Sequence, residues 1–124
     1  MIEEYRFGFI VINGKNYNHD VEVRALKEEK IEILDWRRQE GHVIDAGDIK
    51  RAVEQNPETI VIGTGESGMA KITEEARQLV EKKGIKLITD ITEHAVKTFN
   101  IISKESLEEE GKQERVIGLF HLTC

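Results

Sequence analysis

The N-terminal part of the chain alternates between short apolar runs and polar turns, a pattern typical of β-structure. Residues 7–12 are apolar at successive positions, which predicts a strand covered on both faces. Asn13 and Gly14 follow at once and predict a tight hairpin turn, because both tolerate the positive φ that such a turn needs. Residues 17–24 then alternate apolar and polar side chains, so we expect a half-buried return strand. Residues 31–36 predict another short strand.

From residue 45 onwards, apolar positions recur every three or four residues, which predicts amphipathic helices. Asp45, Thr73 and Thr92 precede three such segments, and side chains of this type accept hydrogen bonds from the first amides of a helix. Gly84 follows the second segment, where a residue with left-handed backbone ends many helices. Residues 104–114 are highly charged and interrupted by a glycine, so we expect a solvated connection there.

Short apolar segments between these helices predict strands at residues 59–62, 85–89 and 115–122. The first two enclose the second helix and form a right-handed β-α-β unit at residues 59–89, whose strands should be parallel. The chain is therefore expected to be an α/β protein, in which an N-terminal β-hairpin joins a mixed sheet with helices packed on it. The direction of the last strand is left open by the sequence.

The chain has 124 residues, of which 39% are hydrophobic and 34% charged, with a formal net charge of −6. These values suit a single domain over residues 1–124 and exclude a collagen-like, low-complexity or membrane-spanning protein. The acidic balance argues against nucleic acid as a partner. The lone cysteine and the acidic first residues predict a cytoplasmic protein without a secretion signal or a membrane partner. The excess of Glu and Lys over Gln and Asn favours a thermophilic source.

Residues 63–68 match the Gly-x-Gly-x-x-Gly pattern of dinucleotide-binding folds, directly after a predicted strand, and Asp90 ends the next strand. Two features oppose a phosphate site. The following helix begins only at Thr73, too late for its N-terminus to reach a phosphate in the loop, and Glu66 would repel an anion. We therefore favour a tight turn, with a small phosphate or nucleotide ligand as the alternative.

No candidate nucleophile has all the neighbouring residues that catalysis would require. Ser67, Asp90 and His121 occur in the chain order of α/β-hydrolases, but Met69 stands where the nucleophile turn requires its last glycine. On an extended chain His121 and Cys124 face opposite sides, so local geometry gives no His–Cys pair. The histidines and the cysteine show no metal-ligand spacing. We therefore predict no catalytic residue, no metal site and no cofactor.

The single tryptophan of the chain is flanked by charged residues. Trp36 lies between Asp35 and Arg37, and tryptophan and arginine are frequent in protein interfaces. We favour the other interpretation, in which Trp36 closes the core while the arginine side chains extend over it.

The chain contains, in this order, the segments Asp35-Trp36-Arg37, Gly41-His42, residues 60–65, Gly84-Ile85, residues 92–100 and Phe120-His121-Leu122-Thr123-Cys124. Together they resemble the small α/β Mth-domain family, which contains the adipogenesis-associated Mth-domain protein and an assembly factor of mitochondrial respiratory complex I. The resemblance implies a three-layer α/β fold with a central mixed sheet, mostly prokaryotic members and no established reaction. It also implies protein partners, because eukaryotic members are associated with assembly or signalling complexes.

We therefore expect a non-catalytic interaction or assembly module that binds a protein partner or a second copy of itself. The alternative is a protein or enzyme that binds a small phosphate, nucleotide or acyl ligand at residues 63–68. The candidate ligand-binding residues are Gly63, Thr64, Gly65, Ser67, His121 and Cys124. The candidate interaction residues are Trp36, Arg37 and His42.

Overall fold

The structure is a computed structural model that describes residues 1–27, 30–110 and 114–124, and only the main chain of residues 105–110. Its elements in chain order are β1 (Ile2–Arg6), β2 (Phe9–Ile12), β3 (Lys15–Tyr17), β4 (Val21–Lys27), β5 (Lys30–Asp35), β6 (Val43–Ile44), α1 (Ala46–Val53), β7 (Thr59–Thr64), β8 (Lys71–Ile72), α2 (Glu74–Lys82), β9 (Lys86–Asp90), α3 (Thr92–Glu110) and β10 (Val116–His121). In this described part, no helix is both long and apolar enough to cross a lipid bilayer.

A mixed sheet lies at the centre of the molecule, and its described strands follow the order β5-β4-β10-β7-β9. The last strand in the chain, β10, occupies the middle of this sheet, parallel to β7 and antiparallel to β4. β7 and β9 are parallel, which confirms the parallel pairing predicted for the β-α-β unit. Every residue of β10 is buried, as expected for a strand covered on both faces.

The two faces of this sheet are covered by different layers. Ile60 and Leu119 pack in a cluster with residues of α1 and α2. Their chain neighbours Val61 and Phe120 pack in a second cluster with α3 and the N-terminal strands. Successive residues of a strand point to opposite faces, so the sheet is sandwiched between the two clusters. The expected three-layer α/β fold with a central mixed sheet is confirmed.

The N-terminal hairpin forms where it was predicted, with positive φ at both Asn13 and Gly14 and β2 antiparallel to β3. Two features were not predicted. β1 precedes the hairpin and pairs with β2, and Phe7 lies between these strands with 52% of its surface exposed. The strand predicted at residues 7–12 therefore begins only at Phe9, and it is fully covered on one face, that of Ile10 and Ile12, where two covered faces were predicted.

The predicted return strand over residues 17–24 is wrong, because the chain leaves the hairpin after β3 and enters the central sheet as β4. The face of β4 that carries its polar side chains is also covered, and Glu22 on this face is only 1% exposed. Arg24 Nε donates to one carboxylate oxygen of Glu22 at 2.6 Å and Arg51 Nε of α1 to the other at 3.1 Å. Two guanidinium groups thus compensate a carboxylate that burial would otherwise disfavour.

The first two helix starts are confirmed. Asp45 and Asp48 form a reciprocal capping box at α1, and Thr73 Oγ1 accepts from the amide of Ala76 in α2. Gly84 has φ +70° after the end of α2, as predicted for a left-handed residue in this position.

The predicted N-cap of α3 is wrong. The carbonyl of Ile91 accepts hydrogen bonds from His94 and Ala95, so Ile91 holds the cap position and Thr92 is the first residue of the helix. The connection expected at residues 104–114 is helical as far as Glu110, because Glu, Lys and Leu are strong helix formers even when solvated. Of the rest of that prediction, residues 111–113 lie outside the described residues, and Glu114 is in neither a helix nor a strand.

Gly118 of β10 generates the first testable prediction. A Cβ at this position would lie 2.5 Å from Cε2 of Phe120 and 3.0 Å from Cδ2 of Phe99. Both rings are fully buried and pack edge to face, so neither can move aside. We expect Gly118→Ala to lower the free energy of unfolding by about 2 kcal/mol, measured by urea denaturation.

Gly47→Ala in α1 is the matched control. A Cβ there would meet nothing within 4 Å, and alanine is the better helix former. We expect an increase in stability of up to about 1 kcal/mol. Equal losses in the two variants would contradict the close packing at Gly118.

Candidate functional site

The carboxyl ends of the parallel strands bring most of the predicted ligand-binding residues together. Gly63 lies opposite Phe120 and Thr64 opposite His121 in the pairing of β7 with β10. On the other side, Gly63 lies opposite Asp90 of β9. Ligands of open α/β sheets bind beyond this end of the strands. The direction of β10, which the sequence leaves open, therefore places His121 beside the loop of residues 63–68.

The main chain of this loop is in close contact with the segment that follows β10. Gly65 has φ +105°, and a Cβ there would lie 2.7 Å from the carbonyl oxygen of Thr123. The amide of Glu66 donates to that same oxygen at 2.9 Å, and the amide of Gly68 donates to the carbonyl of Gly65. In phosphate-binding loops such amides point at the anion. Here they donate within the protein.

The hydroxyl of Thr92 joins the loop to both α3 and β10. Its Oγ1 accepts from the amide of Gly65 at 2.9 Å and donates to the carbonyl of His121 at 2.6 Å. A Cβ at Gly63 would lie 2.8 Å from Oγ1 and 3.0 Å from Cα of Thr92. The glycine is therefore required because the first turn of α3 approaches β7 closely.

The imidazole of His121 is held between a carboxylate and a carbonyl. Nδ1 lies 2.8 Å from Oδ2 of Asp20, and Nε2 lies 2.8 Å from the main-chain oxygen of Cys124. Arg38 donates to the same Oδ2 through Nη1 at 2.8 Å, and the amide of Leu122 donates to Oδ1 at 2.9 Å. We call Asp20, Arg38 and His121 the buried polar cluster.

Burial and charge act in opposite directions on Asp20. Burial alone raises the pKa of its carboxyl group, because desolvation penalises the charged form. The hydrogen bonds from His121 and Leu122 and the electrostatic attraction of His121 and Arg38 lower it, and the net pKa of Asp20 lies below its usual value of 3.8. Asp20 is therefore an ionised group that fastens the segment following β10.

The remaining candidate ligand-binding residues lie at the margin of this cluster. Thr64 Oγ1 donates to the carbonyl of Asp90, whereas Ser67 and Cys124 are exposed. Because the ring nitrogens of His121 face the groups named above, neither Ser67 nor Cys124 has this imidazole as its general base.

The candidate interaction residues separate into a core residue and two surface residues. Trp36 is 3% exposed, its Nε1 donates to the carbonyl of Asp48, and Arg38 stacks over its ring at 4.8 Å. Trp36 therefore closes the core, which is the interpretation that the sequence analysis favoured, and it offers little exposed surface for a partner. Arg37 and His42 are exposed.

Asp20, Arg38 and Thr92 were not predicted as members of this site. Their contacts join positions far apart in the chain, such as Asp20 with His121 at a separation of 101 residues, and residue spacing carries no signal of such pairs. Within the described residues, no cluster of His, Cys, Asp and Glu is arranged to hold a metal ion.

A separate groove of about 850 Å³ lies between β1 and α3. We call it the β1–α3 groove. Its lining residues are Ile2, Glu3, Glu4, Tyr5, Arg6, Phe7, Phe9, Glu66, Glu93, Val96, Lys97 and Asn100. The groove shares Glu66 with the glycine loop and is otherwise built from different elements.

Asp20→Asn tests the buried polar cluster. The amide retains an oxygen for Leu122 but leaves the guanidinium of Arg38 without its counter-charge, so we expect a loss of about 3 kcal/mol at pH 7. A carboxyl whose pKa is lowered by folding stabilises above its unfolded pKa and loses this effect as the pH falls through its folded pKa. The difference between the two proteins should therefore shrink below pH 3.8.

Urea denaturation at several pH values between 7 and 2 measures this difference. Glu81→Gln, at an exposed position of α2, is the control and should differ little from the original protein at any pH. A difference for Asp20→Asn that stays constant down to pH 2 would show that its charge does not stabilise the fold.

Thr92→Val keeps the shape of the side chain and removes both hydrogen bonds of its hydroxyl. The buried amide of Gly65 and carbonyl of His121 are then unpaired, so we expect a loss of about 2–3 kcal/mol and faster hydrogen exchange of the Gly65 amide. Thr98→Val, half-buried on the same helix, is the control. Unchanged exchange at Gly65 would disprove the role assigned to the hydroxyl.

Comparison with known proteins agrees with this architecture. A conserved hypothetical protein of Pyrococcus horikoshii OT3 is 27% identical, with a TM-score of 0.72 and coverage of 100% of this chain and 99% of that protein. An outer membrane protein of Bartonella henselae is 25% identical, with a TM-score of 0.74 and coverage of 99% and 94%. A Bordetella parapertussis protein, 22% identical over 96% of this chain and 92% of its own, has a TM-score of 0.74 and shows the fold alone.

The sequence also matches a family described as "Protein of unknown function (DUF498/DUF598)" over residues 2–121. This match agrees with the expectation of a family without an established reaction, while the Mth-domain name stays a prediction. Because the match covers almost the whole sequence, the chain belongs to the DUF498/DUF598 family of proteins of unknown function.

Proposed function

We propose that this protein is a non-catalytic module that acts by binding a protein partner. The observation that carries the proposal is the state of His121, which is 5% exposed and has Asp20 and the Cys124 carbonyl at its ring nitrogens. A general base needs a free nitrogen within hydrogen-bond reach of a substrate. The imidazole instead fastens the segment after β10 to the rest of the fold.

The glycine loop supports the same conclusion. The amides of Gly65, Glu66 and Gly68 donate to Thr92, Thr123 and Gly65 respectively, and a bound phosphate would have to replace these bonds. The exposed carboxylate of Glu66 would also repel an anion close to the loop. Both features argue against the alternative function, in which the loop binds a small phosphate, nucleotide or acyl ligand.

The surface offers a different kind of site. The β1–α3 groove combines apolar side chains with carboxylates and lies open to solvent, a composition suited to a polypeptide more than to a small anion. We propose further that the module works in the cytoplasm as one domain over residues 1–124. The lone, exposed Cys124 supports a reducing compartment.

Two measurements on the full chain test this function. In native extract treated with nuclease, we expect the protein to migrate in a complex larger than its own 14.2 kDa. In a thermal-shift screen, nucleotides, phosphorylated metabolites and acyl compounds should leave Tm unchanged, because a ligand at about 100 times its Kd adds about 2.7 kcal/mol of stability and would be visible.

The opposite pattern would favour the small-ligand function. It consists of migration as the free chain together with a Tm increase of several degrees that Ser67→Ala reduces and Glu81→Gln preserves. Ser67 and Glu81 are both exposed, so neither substitution should disturb folding.

A further inference from the structure

The wall of the β1–α3 groove formed by β1 is a strand edge. Among the described strands, β1 pairs only with β2 and lies at the outside of its sheet. At one end of this edge, the carboxamide of Asn100 from α3 bonds the main chain of Ile2 twice. The amide of Ile2 donates to Oδ1 at 3.1 Å, and Nδ2 donates to the carbonyl of Ile2 at 2.8 Å.

These two hydrogen bonds have the same pattern as the pair that a neighbouring antiparallel strand would form with Ile2. In an antiparallel pair, one residue exchanges an N–H and a C=O with a single opposite residue. The carboxamide of Asn100 has the same donor and acceptor as a peptide group, so at Ile2 it takes the place of a strand partner. Beyond Ile2 the edge runs along the groove through Glu4 and Arg6, which are exposed. Strand edges of this kind bind extended peptides by main-chain hydrogen bonds.

The groove also offers apolar contacts. Phe7 is among the most exposed large apolar side chains of the described chain, and Phe9 is half-buried. Val96 of α3 lines the opposite wall. An extended segment presents alternate side chains to the same side, so its apolar residues can lie against these three.

The charge at the other end of the groove is mainly negative. Glu66 and Glu93 are exposed and lie near the hydroxyl of Tyr5. The pKa of Tyr5 is raised to about 12, first by burial and then by the charges of Glu66, Asp20 and Glu93. Lys97, on the same wall, offsets only part of this charge. The other basic lining residue, Arg6, already pairs with Glu4 at 2.8 Å.

We propose that the β1–α3 groove binds an extended segment of a protein partner, which pairs with the edge of β1 and places a Lys or Arg side chain beside Glu66 and Glu93. The proposal rests on the proposed function and names the surface and the partner chemistry. A second copy of this chain fits less well, because its net charge is also negative at −6 and like charges oppose association. The part of β1 beyond Ile2, residues 3–6, spans about 14 Å, so the paired segment has about four residues.

Selection from a library of random linear peptides, displayed against the immobilised full chain, tests the proposal. We expect the selected peptides to combine apolar residues with at least one Lys or Arg. Their Kd is then measured by fluorescence polarisation. The double variant Glu66→Gln/Glu93→Gln should raise Kd about tenfold, because it removes two partly exposed ion pairs.

The control is Glu74→Gln/Glu81→Gln, which removes the same charge from α2 on the opposite face of the central sheet and should leave Kd within about twofold. Circular dichroism and Tm establish that both double variants fold, as expected for exposed positions. A peptide methylated on alternate main-chain nitrogens should lose binding, since it cannot pair with a strand edge.

The outcomes separate the two proposals. Selected peptides that bind both double variants equally well would overturn the proposal that the groove is the binding site. Selection of acidic or uncharged peptides would overturn it too. Neither result would contradict the protein-binding function. A concentration-dependent dimer that the Glu66→Gln/Glu93→Gln variant strengthens would assign the groove to a second copy. If no peptide is selected while the native protein still migrates in a large complex, the proposal about the groove is overturned and the protein-binding function is not.

Discussion

The hydroxyl of Thr92 is the contact on which the functional end of the molecule depends. It is buried at the meeting point of the loop after β7, the first turn of α3 and the end of β10, and it bonds Gly65 and His121 at once. A polar group that is buried without a hydrogen-bond partner lowers stability. Because the hydroxyl both accepts and donates, neither of its two partners is left unpaired. The approach of α3 that makes this possible leaves no room for a Cβ at Gly63.

Local signals in the sequence were sufficient for much of the fold. The turn at Asn13 and Gly14, the cap at Asp45 and the left-handed Gly84 depend on neighbours within a few residues, and each forms as predicted. The N-terminal strands were predicted less well. Residues 17–24 are split between β3 and β4, and β4 pairs with β10, which lies far along the chain. The burial of Glu22 has the same origin, since one of its compensating charges, Arg51, comes from α1.

The candidate site shows the same limit more sharply. Spacing alone identified the glycine loop, and the search for a nucleophile with its base brought His121 and Cys124 into consideration. The direction in which the loop amides point is decided by Thr92 and Thr123, which the chain brings there only after β9 and β10 are in place. A motif of glycines therefore establishes that the backbone bends closely past another segment, and long-range contacts establish what that segment is.

The central place of β10 imposes an order on biosynthesis. Among the described strands, β10 alone lies between β4 and β7, so neither can complete its pairing while residues 116–121 are still inside the ribosome. Until then β4 and β7 each lack one neighbouring strand, and other chains could pair with these open edges. The central sheet therefore closes only after β10 has left the ribosome, and a chaperone that covers β4 and β7 until then would protect the nascent chain.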